Sequence, residues 1–383
     1  MNNDFNYNNG QQYSNPFTGA PEYDFYDELV VKDAKKATSR TMLSVAIYLI
    51  ASYALTFIID LVIGIVMIYG FDNKDAYVTL VNSIYYQLLL STLPMYIGGI
   101  PILFLLIKRV PKKQLPLEKP KMSVAQLLMM IPIAQLAMTV GSYIGSFINA
   151  IYSAILGVEN FDPVSDMIMG APLPLLFLLT VVLAPIFEEL IFRKLLLDRL
   201  SVYGSRFAIL VTAVAFGLFH GNLDQFFYAT LVGIVLGYVA IKSGNWLFSV
   251  IVHAVMNFLG GVVPLLINDS LVRYTELMEK MLEDPMAYTS IPAEYALDVF
   301  VIMIYSGIVS TLVIGGIVLL ILGIRRRWFT VDERLSVRIP KGRTAGVVFK
   351  NAGSIILLVV SGLFIVLDLL TPLIEQVASG SGV

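Results

Sequence analysis

The chain has no cysteine. That excludes disulfide staples, thiolate nucleophiles and cysteine-ligated zinc. It has two histidines, His220 and His253, so any imidazole chemistry must use one or both. Charged residues make up 14% of the chain, against about 25% in a soluble domain. The net charge of −2 argues against a nucleic-acid partner. No serine sits in a G-x-S-x-G context, and no H-E-x-x-H helix signature is present.

What the chain has is apolar surface. It is 57% hydrophobic, with a mean hydropathy of +0.78. Apolar runs of about 20 residues recur, which predicts an all-α polytopic membrane protein. A closed barrel needs alternating segments of about 10 residues, and that pattern is absent. The runs fall at 43–70, 86–107, 124–157, 172–192, 205–220, 226–241, 246–268, 299–323 and 352–375. The third is overlong and holds Gly141 and Gly145, which suggests a kink, a tilt or a second short helix; the split is rejected because it would put the basic clusters that follow outside.

Orientation follows from the basic residues. With the N-terminus inside, only Lys74, Arg273 and Lys280 of the 26 Lys and Arg fall outside. The chain therefore reads as multi-pass, with a cytoplasmic N-terminus and an extracytoplasmic C-terminus. Residues 1–40 are polar, rich in Asn and Tyr, and lack an apolar signal core; they read as a disordered cytoplasmic tail. Residues 41–160 form N-terminal membrane helices, and 161–268 a helical core. Segment 269–298 is an acidic, partly helical extracytoplasmic loop, and 299–383 holds the last helices with a basic cytoplasmic loop at 325–350. Trp328 and Phe329, beside three arginines, read as an interfacial anchor on the lipid bilayer.

Ionisable groups inside membrane runs carry the functional information, because a charge in hydrocarbon costs several kcal/mol. Asp60 and Asp368 lie toward the outer ends of their runs and read as helix-end or interhelical hydrogen-bonding groups. The stretch "APIFEELIFRK", residues 184–194, is different. Glu189 and Arg193 are four apart and share a helix face, in the acid-first order that favours an ion pair. Glu188 is rotated by about 100° and lacks that partner. One carboxylate is thus held charged, and the other is free to exchange a proton.

The histidines answer this pair. Phe216 and His220 are four apart in "AVAFGLFHGN"; His253 and Asn257 are four apart in "NWLFSVIVHAVMNF". A buried amide without a partner is costly, so Asn257 is expected to face a polar cavity. A carboxylate base, two imidazoles and an amide are the parts for hydrolysing a peptide bond through activated water. Zinc held by His220, His253 and Glu188 is the alternative, although no cofactor is favoured.

E-x-x-x-R preceded by a second Glu (Glu188, Glu189, Arg193), F-x-x-x-H (Phe216, His220) and H-x-x-x-N (His253, Asn257) follow in order on three predicted helices. Over residues 172–260 the chain resembles the CAAX protease and bacteriocin-processing (CPBP) family of intramembrane endopeptidases. The resemblance implies helices packed around a polar cavity open to the cytosol. It implies that Glu188 and His220 activate water, that His253 and Asn257 form an oxyanion site, and that Glu189 and Arg193 organise them, with Phe216 in support. It also implies a membrane-associated protein or peptide substrate, of which a prenylated C-a-a-X protein is the best-known kind, and a bacterial cell membrane. A non-enzymatic immunity or scaffold protein of the same fold, with a membrane-protein partner, is the first alternative; a transporter or proton relay is the second.

Depth sets a further expectation. His220 ends its run and would lie deeper than Glu188 unless the turn 221–225 stops inside the membrane, covered by protein. If it does, His220 comes close to Glu188.

Overall fold

The computed structural model describes residues 22–112, 122–157, 170–284, 290–331 and 337–378, the side chains at 22–26 and 375–378 excepted. Among these residues there are helices and turns but no strand. Eight helices are long and apolar enough to cross a membrane: α1 (Asp27–Gly70), α2 (Ile84–Ile107), α3 (Val124–Leu156), α4 (Leu173–Tyr203), α6 (Leu223–Ser243), α7 (Trp246–Leu266), α9 (Ala293–Arg325) and α10 (Ala352–Ile374). Between α4 and α6 lies the shorter apolar helix α5 (Ser205–Phe219). Between α7 and α9 lies α8 (Asn268–Glu283), which is amphipathic. The protein is an all-α polytopic membrane protein, and each of the nine apolar runs coincides with a helix.

Local chemistry sets the boundaries. Ser123 and Gln126 close a reciprocal capping box at the start of α3, and Gly157 ends that helix in the left-handed region. Asn222 caps α6 through Gln225 N, and Asn245 caps α7 through Leu247 N. Gly244 (φ 63°) makes the tight α6–α7 turn.

One expectation needs correction. The segment 22–40 is not disordered: its helix begins at Glu22 and runs into the membrane-length part of α1. Val30, Ala34, Ala37 and Thr41 are buried, while Lys32, Lys35 and Lys36 face outward. Small and β-branched residues at helical spacing gave this stripe, and the polar composition hid it. Ser39 Oγ accepts from Gly353 N at the start of α10, which ties the segment down. Residues 1–21 lie outside the described residues. The rejection of a split third run holds: α3 is one continuous helix of 33 residues. Gly141 and Gly145 do not divide it. They let α6 approach: a Cβ on Gly141 would overlap the Tyr228 backbone, and one on Gly145 would sit 3.1 Å from Asp224 O.

Helix α3 packs on α6, α7 and α9, and α1 packs on α10 and on both halves of α2. Asp60 accepts a hydrogen bond from Tyr86 (2.6 Å) and faces Tyr77 (3.4 Å), so it is an interhelical group as expected. Arg273 of α8 pairs with Asp298 of α9 at 2.7 Å. On the basic side, Phe329 packs edge-on against Tyr238 (5.6 Å) and Lys242 donates to Thr330 O (3.1 Å). Phe329 therefore fastens the loop to α6; both it and Trp328 are half-buried.

Candidate active site

Helix α4 carries the first motif, and its backbone is not regular. Phe177–Leu183 and Leu190–Leu197 are π-helical, and Ala184–Glu189 between them is α-helical. Pro185 lacks the N–H needed to continue the ladder through this point, which accounts for the change of register. Wide turns of this kind recur at functional sites. Glu188 and Glu189 end the short α stretch, and both are buried.

The expected ion pair is present. Glu189 Oε2 lies 3.1 Å from Arg193 Nε, with neither side chain exposed. The guanidinium rests on the Phe216 ring at 4.8 Å and reaches Gly233 O of α6 at 3.4 Å. Arg193 Nη1 has no hydrogen-bond acceptor among the described residues.

His253, on α7, stands between the two acids. Its Nδ1 is 3.0 Å from Glu189 Oε1, and its Nε2 is 3.7 Å from Glu188 Oε2. With Glu189 ionised beside Arg193, the Nδ1 proton is donated to Glu189, and the Nε2 side of the ring faces Glu188. The sequence spacing does not reveal this link, because 64 residues separate the partners.

The second motif comes from the end of α5. Phe216 lies edge-on to both imidazoles, at 5.1 Å from His220 and 5.7 Å from His253. Both histidines thus share one aromatic neighbour with Arg193. The His220 ring nitrogens make no hydrogen bond to protein among the described residues. The turn after His220 is covered, as the depth argument requires. Gly221 (φ 68°) packs against Phe364 of α10 and Tyr53 of α1, and Asn149 of α3 donates to Asp224 (3.2 Å).

Asn257 behaves differently from the expectation. One N–H of its amide donates to Thr180 O, in the π-helical part of α4, at 2.8 Å. Part of its donor capacity is therefore spent on backbone. Thr180 was not legible as a site neighbour, because only the π register brings its carbonyl there. Two tyrosines also come from outside the motifs, Tyr48 of α1, which stacks on Phe219 at 5.6 Å, and Tyr96 of α2. Tyr96 stacks on Phe187, the residue before Glu188, at 4.4 Å.

A zinc ion would need three converging donors and an open position. Among the described residues no three His, Asp or Glu side chains form such a group. The Nδ1 bond to Glu189 leaves Nε2 of His253, which faces Glu188, as its uncommitted ring nitrogen, the orientation a metal-ligating histidine also takes.

Two buried carboxylates, the buried Arg193 and His253, and the half-buried His220 and Asn257 are thus carried by three successive motifs of a polytopic helical protein. Residues 170–259 match the model of the type II CAAX prenyl endopeptidase Rce1-like family, and that segment contains every motif residue. The Bacillus subtilis protein YdiL, named as a candidate membrane peptidase, is 25% identical over 207 residues, which is 53% of this chain and 84% of that protein. No solved structure matches the chain significantly. Over this segment the chain is similar to the CAAX-type membrane endopeptidases.

Proposed function

We propose that this protein hydrolyses a peptide bond of a membrane-associated protein or peptide, with Glu188 as general base. The observation that carries the reading is the His253 bridge, 3.0 Å to Glu189 and 3.7 Å to Glu188. It gives two adjacent acids different tasks. Glu189, paired with Arg193, fixes the imidazole; Glu188 has no such pairing and faces it from the other side.

In this reading Glu188 takes a proton from water, and the resulting hydroxide attacks the scissile carbonyl carbon. His220, whose ring nitrogens are uncommitted, holds that water. The remaining N–H of Asn257, and His253 when its Nε2 carries a proton, face the oxygen that gains charge. The proton on Glu188 then passes to the leaving amine as the C–N bond breaks, which balances the reaction. No metal is assigned a step. In this reading the N-terminus is cytoplasmic, the side to which most basic residues would then fall, and a prenylated C-a-a-X peptide is the first substrate class to test.

The test is cleavage by purified protein in detergent, wild type against Glu188→Gln, with a prenylated C-a-a-X peptide and an unprenylated control, each with and without chelator. The reading expects cleavage that Glu188→Gln abolishes and chelator spares. Chelator-sensitive cleavage would restore the zinc alternative. Cleavage that survives in Glu188→Gln would remove Glu188 from the mechanism.

A further inference from the structure

We propose that Pro185 is a positioning residue of this active site: it leaves the Thr180 carbonyl without a backbone donor, and that carbonyl seats the Asn257 amide. The proposal rests on the peptidase reading above and gives the amide of the third motif its support.

A carbonyl inside a helix accepts from the N–H four residues on in the α register, or five residues on in the π register. For Thr180 those donors are Ala184 and position 185. Ala184 N is already committed: it donates to Leu179 O, in the wide register that runs from Phe177 to Leu183. Position 185 is proline and has no N–H to give. Both registers therefore pass Thr180 O by. Its own hydroxyl does not serve it either, since that group donates to Leu176 O at 2.8 Å. A bare carbonyl in a membrane helix costs about as much as a lost hydrogen bond, so a partner from outside the helix is required.

Asn257 of α7 is that partner, with Nδ2 2.8 Å from Thr180 O. A carbonyl only accepts, so the nitrogen end of the amide must face it. The terminal torsion of asparagine is otherwise broad, and this bond holds it. One N–H is thereby fixed in place and the other is kept for the reaction. The two helices also meet close by, where Phe177 and Phe258 lie edge-on at 6.5 Å. His253, one turn earlier on α7, is seated in the same way, by Glu189 at 3.0 Å. Pro185 is buried and stands in α4 between the two seats, five residues after Thr180 and four before Glu189.

Pro185→Ala gives position 185 an N–H. Thr180 O then gains a backbone donor whichever register the helix takes, position 185 in the π register or Ala184 in the α register, and Asn257 loses its seat. In the cleavage assay kcat should fall by about 10- to 100-fold, the cost of a misplaced catalytic group. KM should stay within about twofold, because the amide acts on charge that forms only in the transition state. The melting temperature should hold or rise, since alanine suits a helix interior better than proline. In an Asn257→Ala background the same change should lower kcat by less than about twofold further, because the group it displaces is already gone. A proline that only shapes the helix predicts equal losses in both backgrounds. That result, or an unchanged kcat, overturns the proposal, and the peptidase reading stands as long as Glu188→Gln abolishes cleavage. A second readout needs no turnover. With asparagine isotopically labelled, the Asn257 side-chain amide resonance, assigned by its loss in Asn257→Asp, should move in Pro185→Ala. If wild type cleaves neither peptide, that counts against the peptidase reading; the resonance then decides the seat alone, a moved one supporting it and an unmoved one overturning it.

Discussion

Replacing Glu189 by methionine should unfold the site from its arginine outward. The pair it breaks is wholly buried, with 3.1 Å between Arg193 Nε and Glu189 Oε2. At an effective dielectric of about 20, opposite charges at that separation attract by about 5 kcal/mol before desolvation is counted. After the change, Arg193 keeps one neutral acceptor, Gly233 O at 3.4 Å, and the face of Phe216. A desolvated cation–π contact supplies about 2 kcal/mol, which does not replace the lost partner. Glu189→Met should therefore destabilise by about 3–5 kcal/mol, the usual result of stranding one member of a buried pair. Glu189→Met with Arg193→Met removes both charges and should recover most of that loss. It will not recover all of it, because His253 Nδ1 still lacks its acceptor, at about 1–3 kcal/mol. A reversible denaturant titration in mixed micelles, followed by tryptophan fluorescence, measures all four corners of the cycle; Trp246, at the start of α7, reports the helix that carries His253. A single-variant loss below about 1 kcal/mol, or a coupling energy below about 0.5 kcal/mol, would refute the claim that this pair holds the site together.

Three further expectations follow from the geometry. Gly141→Ala should destabilise by about 1–3 kcal/mol, because the new Cβ meets the Tyr228 backbone, which cannot turn aside as a side chain can; Gly261→Ala, with nothing within 4 Å, should leave the melting temperature nearly unchanged. Phe216→Leu keeps most of the packing but removes the ring under Arg193 and beside both imidazoles; losing a contact of about 1–2 kcal/mol should lower kcat/KM by roughly tenfold, and an unchanged value would show that the ring is only filler. The absence of native cysteine makes orientation testable without background: in intact cells an impermeant maleimide should label Thr79→Cys and spare Thr330→Cys until the membrane is opened, and the reverse pattern would turn the N-terminus outward.

The helices were legible because each depends on a local quantity. Apolar length alone located nine helices, and the Glu189–Arg193 pair followed from i,i+4 spacing on one of them. The helical segment 22–40 was missed because composition averages over a stripe: Ala34, Ala37 and Thr41 form a buried face among lysines, and only periodicity separates them. Gly141 and Gly145 were read as weak points along one helix. They are contact points between two, and a single helix's pattern cannot show which neighbour comes close.

The site was half legible for the same reason. Its four motif groups could be named, but not their pairings, since each pairing crosses between helices. Spacing put Asn257 and His253 on one face; it could not show that the π turns of α4 would bring Thr180 O to the amide and leave His253 between Glu188 and Glu189. Pro185 was the available signal, because a proline three residues before the acid pair must disturb the ladder that positions it.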